Sequence, residues 1–252
     1  MTVSRTMLVT GVTGTIGSWV AAEALGRGWS VAGLVRDSDA DHARRRVLAA
    51  LAVAGAGPEA RNVRVVLGDL GREGLGLGPD PAATAGPADV VCHCAADVRF
   101  DDSEPDAREQ VNVRGTAEVL ALAERLGAAL MHLSTAYVAG TRRGLVRESE
   151  LDVGQTFNNG YEQTKCRAEM LAGDWARRTG RPAIILRPSV VMGDSRTGRT
   201  IHFNALYHFL RFFDRTTAGR GGRAFRVQAR SEATMNIVPV DYVAGAAMAL
   251  AE

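Results

Sequence analysis

A chain of 252 residues with 46% hydrophobic and 23% charged content can bury one sizeable core with a small appendage at most. A formal net charge of +2, with tight basic clusters only at Arg44-Arg45-Arg46 and Arg142-Arg143, argues against a nucleic-acid partner. No uninterrupted apolar run approaches the ~18 residues of a membrane span, and residues 1–6 are too short and polar for a signal peptide.

Apolar residues 7–9 read as a first strand, leading into a glycine-rich turn and a helix over 18–25. Residues 30–35 read as a strand and 39–53 as a helix; 62–67 and 88–94 are further strands. A long helix follows over 108–126, a fifth strand over 129–134, a helix over 161–178 and a sixth strand over 183–187. Strands of about five residues alternating with helices predict repeated βαβ units, hence an α/β fold with a right-handed, doubly wound (Rossmann) parallel sheet. Glycines and prolines punctuate the path at 55–58 and through the loop 71–81. The last stretch changes character: an apolar and aromatic helix over 202–213, an Arg/Gly-rich segment over 220–230, a short strand and turn at 236–241, and an apolar helix over 242–250. The expected division is an NAD(P)-binding domain over 1–200 and a small substrate-binding region over 201–252 within one structural unit.

The run Thr10-Gly11-Val12-Thr13-Gly14-Thr15-Ile16-Gly17 follows the first strand and opens the first helix. Glycines at 11, 14 and 17 allow a tight turn, close approach of a pyrophosphate and close helix–sheet packing, and the helix start offers N–H donors to phosphate. Gly11, Thr13, Gly14, Thr15, Ile16 and Gly17 are therefore candidate cofactor contacts. At the end of the second strand, Arg36 suits the 2′-phosphate of NADP, whereas Asp37 as ribose ligand would mean NAD; Arg36 comes first, and NADPH is the expected cofactor. Asp69, in Gly68-Asp69-Leu70, is placed to accept a hydrogen bond from the adenine amino group, or else is a turn or cap residue.

Lys165 is the only lysine; every other basic residue among the 30 Lys and Arg is arginine. It stands four residues after Tyr161, so the two share a helix face, and a compact ammonium beside a phenol lowers the phenol's pKa toward neutrality. A tyrosine so tuned can hand a proton to a carbonyl oxygen as hydride arrives. Ser134 or Thr135, at the end of the fifth strand, offers a hydroxyl to the same oxygen. Three cysteines, Cys92, Cys94 and Cys166, give no disulfide framework and imply a reducing, cytoplasmic setting. Cys92-His93-Cys94 lacks a further ligand set nearby, and alternation along a strand would turn His93 away from both sulfurs, so no metal is expected.

Together these pieces resemble an extended short-chain dehydrogenase/reductase, and within it the thioester-reductase and fatty-acyl-CoA-reductase branch. The residues carrying the resemblance are the glycine frame, Gly68-Asp69-Leu70 with Leu75-Gly76-Leu77, His93-Cys94-Ala95-Ala96-Asp97-Val98-Arg99-Phe100, Asn112-Val113-Arg114-Gly115-Thr116, Ser134-Thr135-Ala136-Tyr137-Val138, Tyr161 with Lys165, the segment 187–195, and Val238-Pro239-Val240-Asp241-Tyr242-Val243. The resemblance implies a triad of Thr135, Tyr161 and Lys165, with Tyr161 the proton donor and Lys165 binding the nicotinamide ribose. It implies that Asn112 supports a water-linked proton path, that Leu70, Ala95 and Ala96 line the cofactor, and that Pro188, Ser189 and Val190 pass near the nicotinamide carboxamide. His93 reads as a satisfied core histidine. The implied activity is NADPH-dependent reduction of an acyl thioester to aldehyde or alcohol, in secondary metabolism, with the acyl group presented by an acyl carrier protein. A free ketone or aldehyde substrate, with the segment 203–213 lining its pocket, and a non-catalytic NADP-binding protein are the alternatives. A homodimer through the helices around 111–126 and 161–178 is a further expectation of resemblance. The family usually continues beyond the Val-Pro-Val-Asp-Tyr-Val element into a C-terminal helical region, so either that lobe is trimmed here or substrate is held differently.

Overall fold

The chain lays down six parallel strands: β1 (Thr6–Thr10), β2 (Ser30–Val35), β3 (Arg64–Leu67), β4 (Val90–His93), β5 (Ala129–Leu133) and β6 (Ala183–Leu186). They form one sheet in the order β3-β2-β1-β4-β5-β6, which reverses direction at β1 and so opens a crevice between the carboxyl ends of β1 and β4. This computed structural model describes residues 5–101, 103–203, 207, 210, 211, 214 and 234–252. Most of the segment expected as an aromatic pocket helix, and all of 220–230, lie outside the described residues.

The central strands β1, β2, β4 and β5 bury both faces, as parallel strands covered by helices must, and the edge strands β3 and β6 are partly buried. Met7 and Val9 of β1 join Trp19 and Val20 on one face, while Leu8 joins Leu122 and Leu130 on the other. Helix α1 (Thr15–Gly26) is apolar nearly all round because it is covered twice. The sheet lies on one side of it, and on the other lies the final helix, whose Val243, Ala244, Ala247 and Met248 enter the same core. Residues 240–251 thus pack into the same layer as α1. Helix α2 (Ala40–Val53) is capped by the Asp39 carboxylate, which accepts from the His42 N–H. The third strand is shorter than its β-branched run because Pro58–Asn62 coils into a 3₁₀ turn ahead of it.

The helix expected over 108–126 is three pieces. After a short α3 (Pro81–Ala85), α4 (Pro105–Glu109) runs into a single π-helical turn (Gln110–Arg114) and then α5 (Gly115–Leu126). The Thr116 hydroxyl donates back to the Asn112 carbonyl at 2.6 Å, the kind of i−4 bond that disturbs a helix. Gly115 lets this stretch pass Leu70 closely: a Cβ there would sit 2.9 Å from the Leu70 carbonyl oxygen. Helix α6 (Gly160–Thr179) starts on an Asn159 cap that accepts from the Glu162 N–H at 3.0 Å and ends at Gly180 in the left-handed conformation. Two further strands, β7 (Val190–Met192) and β8 (Ile237–Pro239), pair in parallel apart from the main sheet, and α7 (Val240–Ala251) follows directly. The apolar run at β7 is too short to read as a strand without its partner. Among the described residues no helix is long and apolar enough to cross a membrane.

Candidate active site

The glycine turn sits at the crevice. Gly11 has φ +70°, and a Cβ there would lie 2.8 Å from the Ala95 backbone nitrogen, so the residue is needed both for its conformation and for the approach of the β4 exit. A Cβ on Gly17 would fall 2.3 Å from the Gly11 carbonyl oxygen. Gly14 donates to that same oxygen at 2.8 Å and stands at the N-cap of α1 with no side chain capping it. The N–H groups of Thr15, Ile16 and Gly17 are then the orphan donors of a helix start, beside the half-buried Thr13. This cradle, closed to any side chain and rich in donors, fits a dinucleotide pyrophosphate.

At the end of β2 the two candidates for the ribose separate. The Asp37 carboxylate accepts from Arg46 at 2.9 Å, from His42 Nδ1 at 2.8 Å, and from the backbone N–H groups of Ser38 and Asp39. The Arg46 guanidinium first, with these partners behind it, holds the carboxylate down to about 2. Arg36 is exposed and makes no ion pair among the described residues. Beyond the neighbouring β3, Asp69 accepts from the Gly71 N–H at 2.9 Å and its own N–H donates to the Leu75 carbonyl at 2.8 Å. Leu75 is fully buried with φ +58°, a left-handed conformation that costs about 1–2 kcal/mol. Leu70, Leu75 and Leu77 share one core cluster, and their burial anchors the loop that presents Asp69.

Tyr161 and Lys165 lie one turn apart near the start of α6. Lys165 is buried, and its ammonium donates to the Leu133 carbonyl at 2.6 Å. Burial lowers it to about 8, against the pull of Cys94 and Glu169. Burial pushes the Tyr161 phenol up to about 12, and the hydroxyl of Thr135 draws it the other way. The lowered phenol expected from the lysine is therefore absent in this state, because desolvation dominates. Phe100 packs edge-on against both Tyr161 and Tyr137, with ring centroids 5.4 and 6.3 Å apart.

Ser134 and Thr135 divide their roles. The Ser134 hydroxyl donates to Glu169, whose carboxylate also takes a forked pair of bonds from Arg187 at 2.6 and 2.9 Å. The Thr135 hydroxyl accepts the Tyr137 N–H at 3.2 Å and is the one beside Tyr161. Asn112 is held between Asp97 and Thr164. Its carboxamide donates to the Asp97 carbonyl at 2.9 Å and to Thr164 Oγ1 at 3.1 Å, and accepts the Asp97 N–H at 2.7 Å. Ala95 lies against the glycine turn at the exit of β4, and the half-buried Ala96 follows it. Pro188 accepts the Ala136 N–H at 2.9 Å, and Val190, after Ser189, opens β7. Among the described residues no three His, Cys, Asp or Glu side chains gather as a metal site.

Two supporting residues were not singled out in the sequence. Glu169 lies four residues beyond Lys165, so its shared face was legible, but its ion pair with Arg187 links distant elements. Thr164 gave no signal, since its bond to Asn112 depends on how α6 packs against the π turn.

The sequence model of a family described as male sterility protein, an NAD-binding family, matches residues 9–247. The chain is 34% identical over 209 residues to the nonribosomal peptide synthetase asaC of Aspergillus flavus, covering 77% of this chain and 20% of that protein. It is 26% identical over 210 residues to a probable fatty acyl-CoA reductase of Arabidopsis thaliana, covering 63% of this chain and 41% of the relative. The terminal R domain from the myxalamid PKS-NRPS pathway superposes with a TM-score of 0.85 at 30% identity, over 99% of this chain and 63% of that structure. The chain thus spans a fifth to two fifths of the length of these curated relatives.

Proposed function

The chain belongs to the male sterility protein family, and on that premise we propose that it is an NADPH-dependent reductase of acyl thioesters. The observation that carries the reading is the meeting of three elements at one crevice. The glycine cradle lies at the carboxyl end of β1, Thr135 at that of β5, and the Tyr161–Lys165 face of α6 packs over it. NADPH would supply the hydride; the residues that would hold it are the 11–17 turn, Arg36, Asp69, Leu70, Ala95, Ala96, Lys165 and the 188–190 segment. The preference for NADPH over NADH rests on Asp37, whose carboxylate is spent on Arg46 and His42 while Arg36 stays exposed.

In the reaction, Thr135 donates a hydrogen bond to the carbonyl oxygen and stabilises the alkoxide that develops there. Tyr161 gives that oxygen its proton, since a phenol near 12 keeps the proton at neutral pH and still yields it to an alkoxide; the hemithioacetal so formed then breaks its C–S bond, the hydroxyl proton passing to the departing sulfur, and releases aldehyde and thiol. Lys165, pinned to Leu133, orients the ribose and sets a positive charge beside the phenol. Phe100 and Tyr137 form an apolar wall next to Tyr161, suited to an uncharged acyl segment. Relatives named as a peptide synthetase and as an R domain of a PKS-NRPS pathway support delivery of the acyl group on a carrier protein.

The test is NADPH oxidation, followed at its absorbance band, with acyl-CoA and acyl-pantetheine thioesters beside matched aldehydes and ketones. Consumption with thioesters is the expected result. Consumption with free ketones alone would replace the thioester reading by that of a tailoring reductase, and tight binding without turnover on any carbonyl would sink both.

A further inference from the structure

His93 and His132 are cross-strand neighbours in register on β4 and β5, both fully buried, with ring centroids 5.4 Å apart. Among the described residues, neither ring nitrogen of His132 has a hydrogen-bond partner. His93 has two: Nδ1 lies 2.7 Å from Thr10 Oγ1 and Nε2 lies 3.0 Å from Thr116 Oγ1.

The directions of these bonds are fixed by proton count. Thr116 spends its one hydroxyl proton on the Asn112 carbonyl, so toward His93 it can only accept, and Nε2 carries the ring proton. Nδ1 is then the acceptor, and Thr10 donates to it while accepting the Ala95 N–H at 3.2 Å. The relay runs one way: Ala95 N–H to Thr10, Thr10 to His93, His93 to Thr116, Thr116 to the Asn112 carbonyl. Asn112 closes it, since its carboxamide grips both the N–H and the carbonyl of Asp97. Residues 95–97 are therefore held at both ends of one ring of buried hydrogen bonds. Ala95 packs on Gly11 of the cofactor cradle, and the Asp97 end is tied through Asn112 to Thr164, next to Lys165. Burial keeps the imidazole neutral by pulling it down to about 3, as a fixed tautomer requires.

We propose that His93 is a positioning residue, locked in its Nε2–H tautomer, that sets the β4 exit segment 95–97 against the glycine turn on one side and the catalytic helix on the other. Its two nitrogens serve the two sides separately. This rests on the cofactor reading only for its kinetic consequences.

The test separates the halves. Asn at 93 places a carboxamide oxygen near the Nδ1 position and keeps the acceptor for Thr10; Gln places an N–H near the Nε2 position and keeps the donor for Thr116. In cofactor-free protein, His93→Asn should leave the Ala95 amide protected and speed hydrogen exchange at Asp97 by about tenfold, the worth of one hydrogen bond. His93→Gln should do the reverse. Thr116→Val, which keeps the shape and removes the acceptor, should reproduce His93→Asn even if the histidine variants fold poorly. With cofactor, His93→Gln should raise the Kd for NADPH, and His93→Asn should lower kcat with KM for NADPH unchanged. Equal effects on both amides in all three variants, tracking a common fall in Tm, would reduce His93 to core packing and overturn the proposal. So would wild-type exchange in all three. The exchange arm needs neither cofactor nor substrate, so it stands or falls apart from the thioester reading.

Discussion

The ammonium of Lys165 donates to the carbonyl oxygen of Leu133 at 2.6 Å, which ties α6 to the end of β5 two residues before Thr135. One bond thus sets the spacing between the helix that carries Tyr161 and the Thr135 hydroxyl beside it. It also fixes a charge in a buried place, and that has measurable consequences for pH.

Lys165 is lowered to about 8 by burial, so the folded protein releases this proton well before the unfolded chain, whose lysine keeps its ordinary 10.5. Between those values the unfolded chain holds more protons, and stability should rise with pH; below about 8 both forms are charged and the contribution is flat. Activity should move the other way, kcat/KM falling as pH passes about 8, because the charge beside the phenol is lost while Tyr161 keeps its proton to about 12. Thermal scans and rates from pH 7 to 10 on wild type and Lys165→Met check both trends. A stability rise that persists in the methionine variant would assign it elsewhere.

Ser134 and Thr135 should respond differently to loss of their hydroxyls. Ser134→Ala removes a donor to the buried Glu169 carboxylate and should cost about 1–3 kcal/mol of stability with little change in kcat. Thr135→Val should cost about 1 kcal/mol through the lost cap on the Tyr137 N–H, and should lower kcat by about 10²-fold or more, as removal of an oxyanion donor does. Chemical denaturation with steady-state rates on both variants decides it, and a rate loss confined to Ser134→Ala would exchange their roles.

Much of this was legible in the sequence, and the exceptions share a cause. Strand β2 and helices α2 and α6 were read within a residue or two because periodicity and caps are local. The place of the glycine turn was legible because an apolar run precedes it and a helical pattern follows. The π turn at Asn112 was read as plain helix, since the forces that make it, Thr116 bonding back to its carbonyl and Asp97 gripping its side chain, are invisible to spacing. The state of Tyr161 was misread for a related reason: the Tyr-x-x-x-Lys frame places the ammonium near the phenol, but burial, which sets the phenol's value, is a tertiary property.

Arg36 and Asp37 give a cofactor test. With Asp37 committed to Arg46, loss of the Arg36 guanidinium should raise KM for NADPH by about tenfold, the scale of one charge-assisted contact, and leave KM for NADH nearly unchanged. Arg36→Ala assayed with both cofactors gives the ratio directly. An equal rise for both would mean that Arg36 does not meet the 2′-phosphate.

Two glycines of one helix should answer the same substitution with opposite signs. Gly17 opens α1, and a methyl there would lie 2.3 Å from the Gly11 carbonyl oxygen, which is backbone and cannot swing aside. Either the turn spreads or the helix retreats from the sheet, and overpacking of this kind costs about 1–3 kcal/mol. Gly26 closes the same helix, has no atom within 4 Å of its would-be Cβ and has no positive φ. Alanine there should stabilise by about 0.5 kcal/mol, by restricting the unfolded chain. The distinction bears on function because the Gly11 to Gly17 contact shapes the donors proposed for the pyrophosphate. Tm measured with and without NADPH separates fold from site. Gly26→Ala should raise both values and keep the increment that NADPH adds, whereas Gly17→Ala should lower both and shrink the increment. A full increment in Gly17→Ala would place the pyrophosphate somewhere other than this turn.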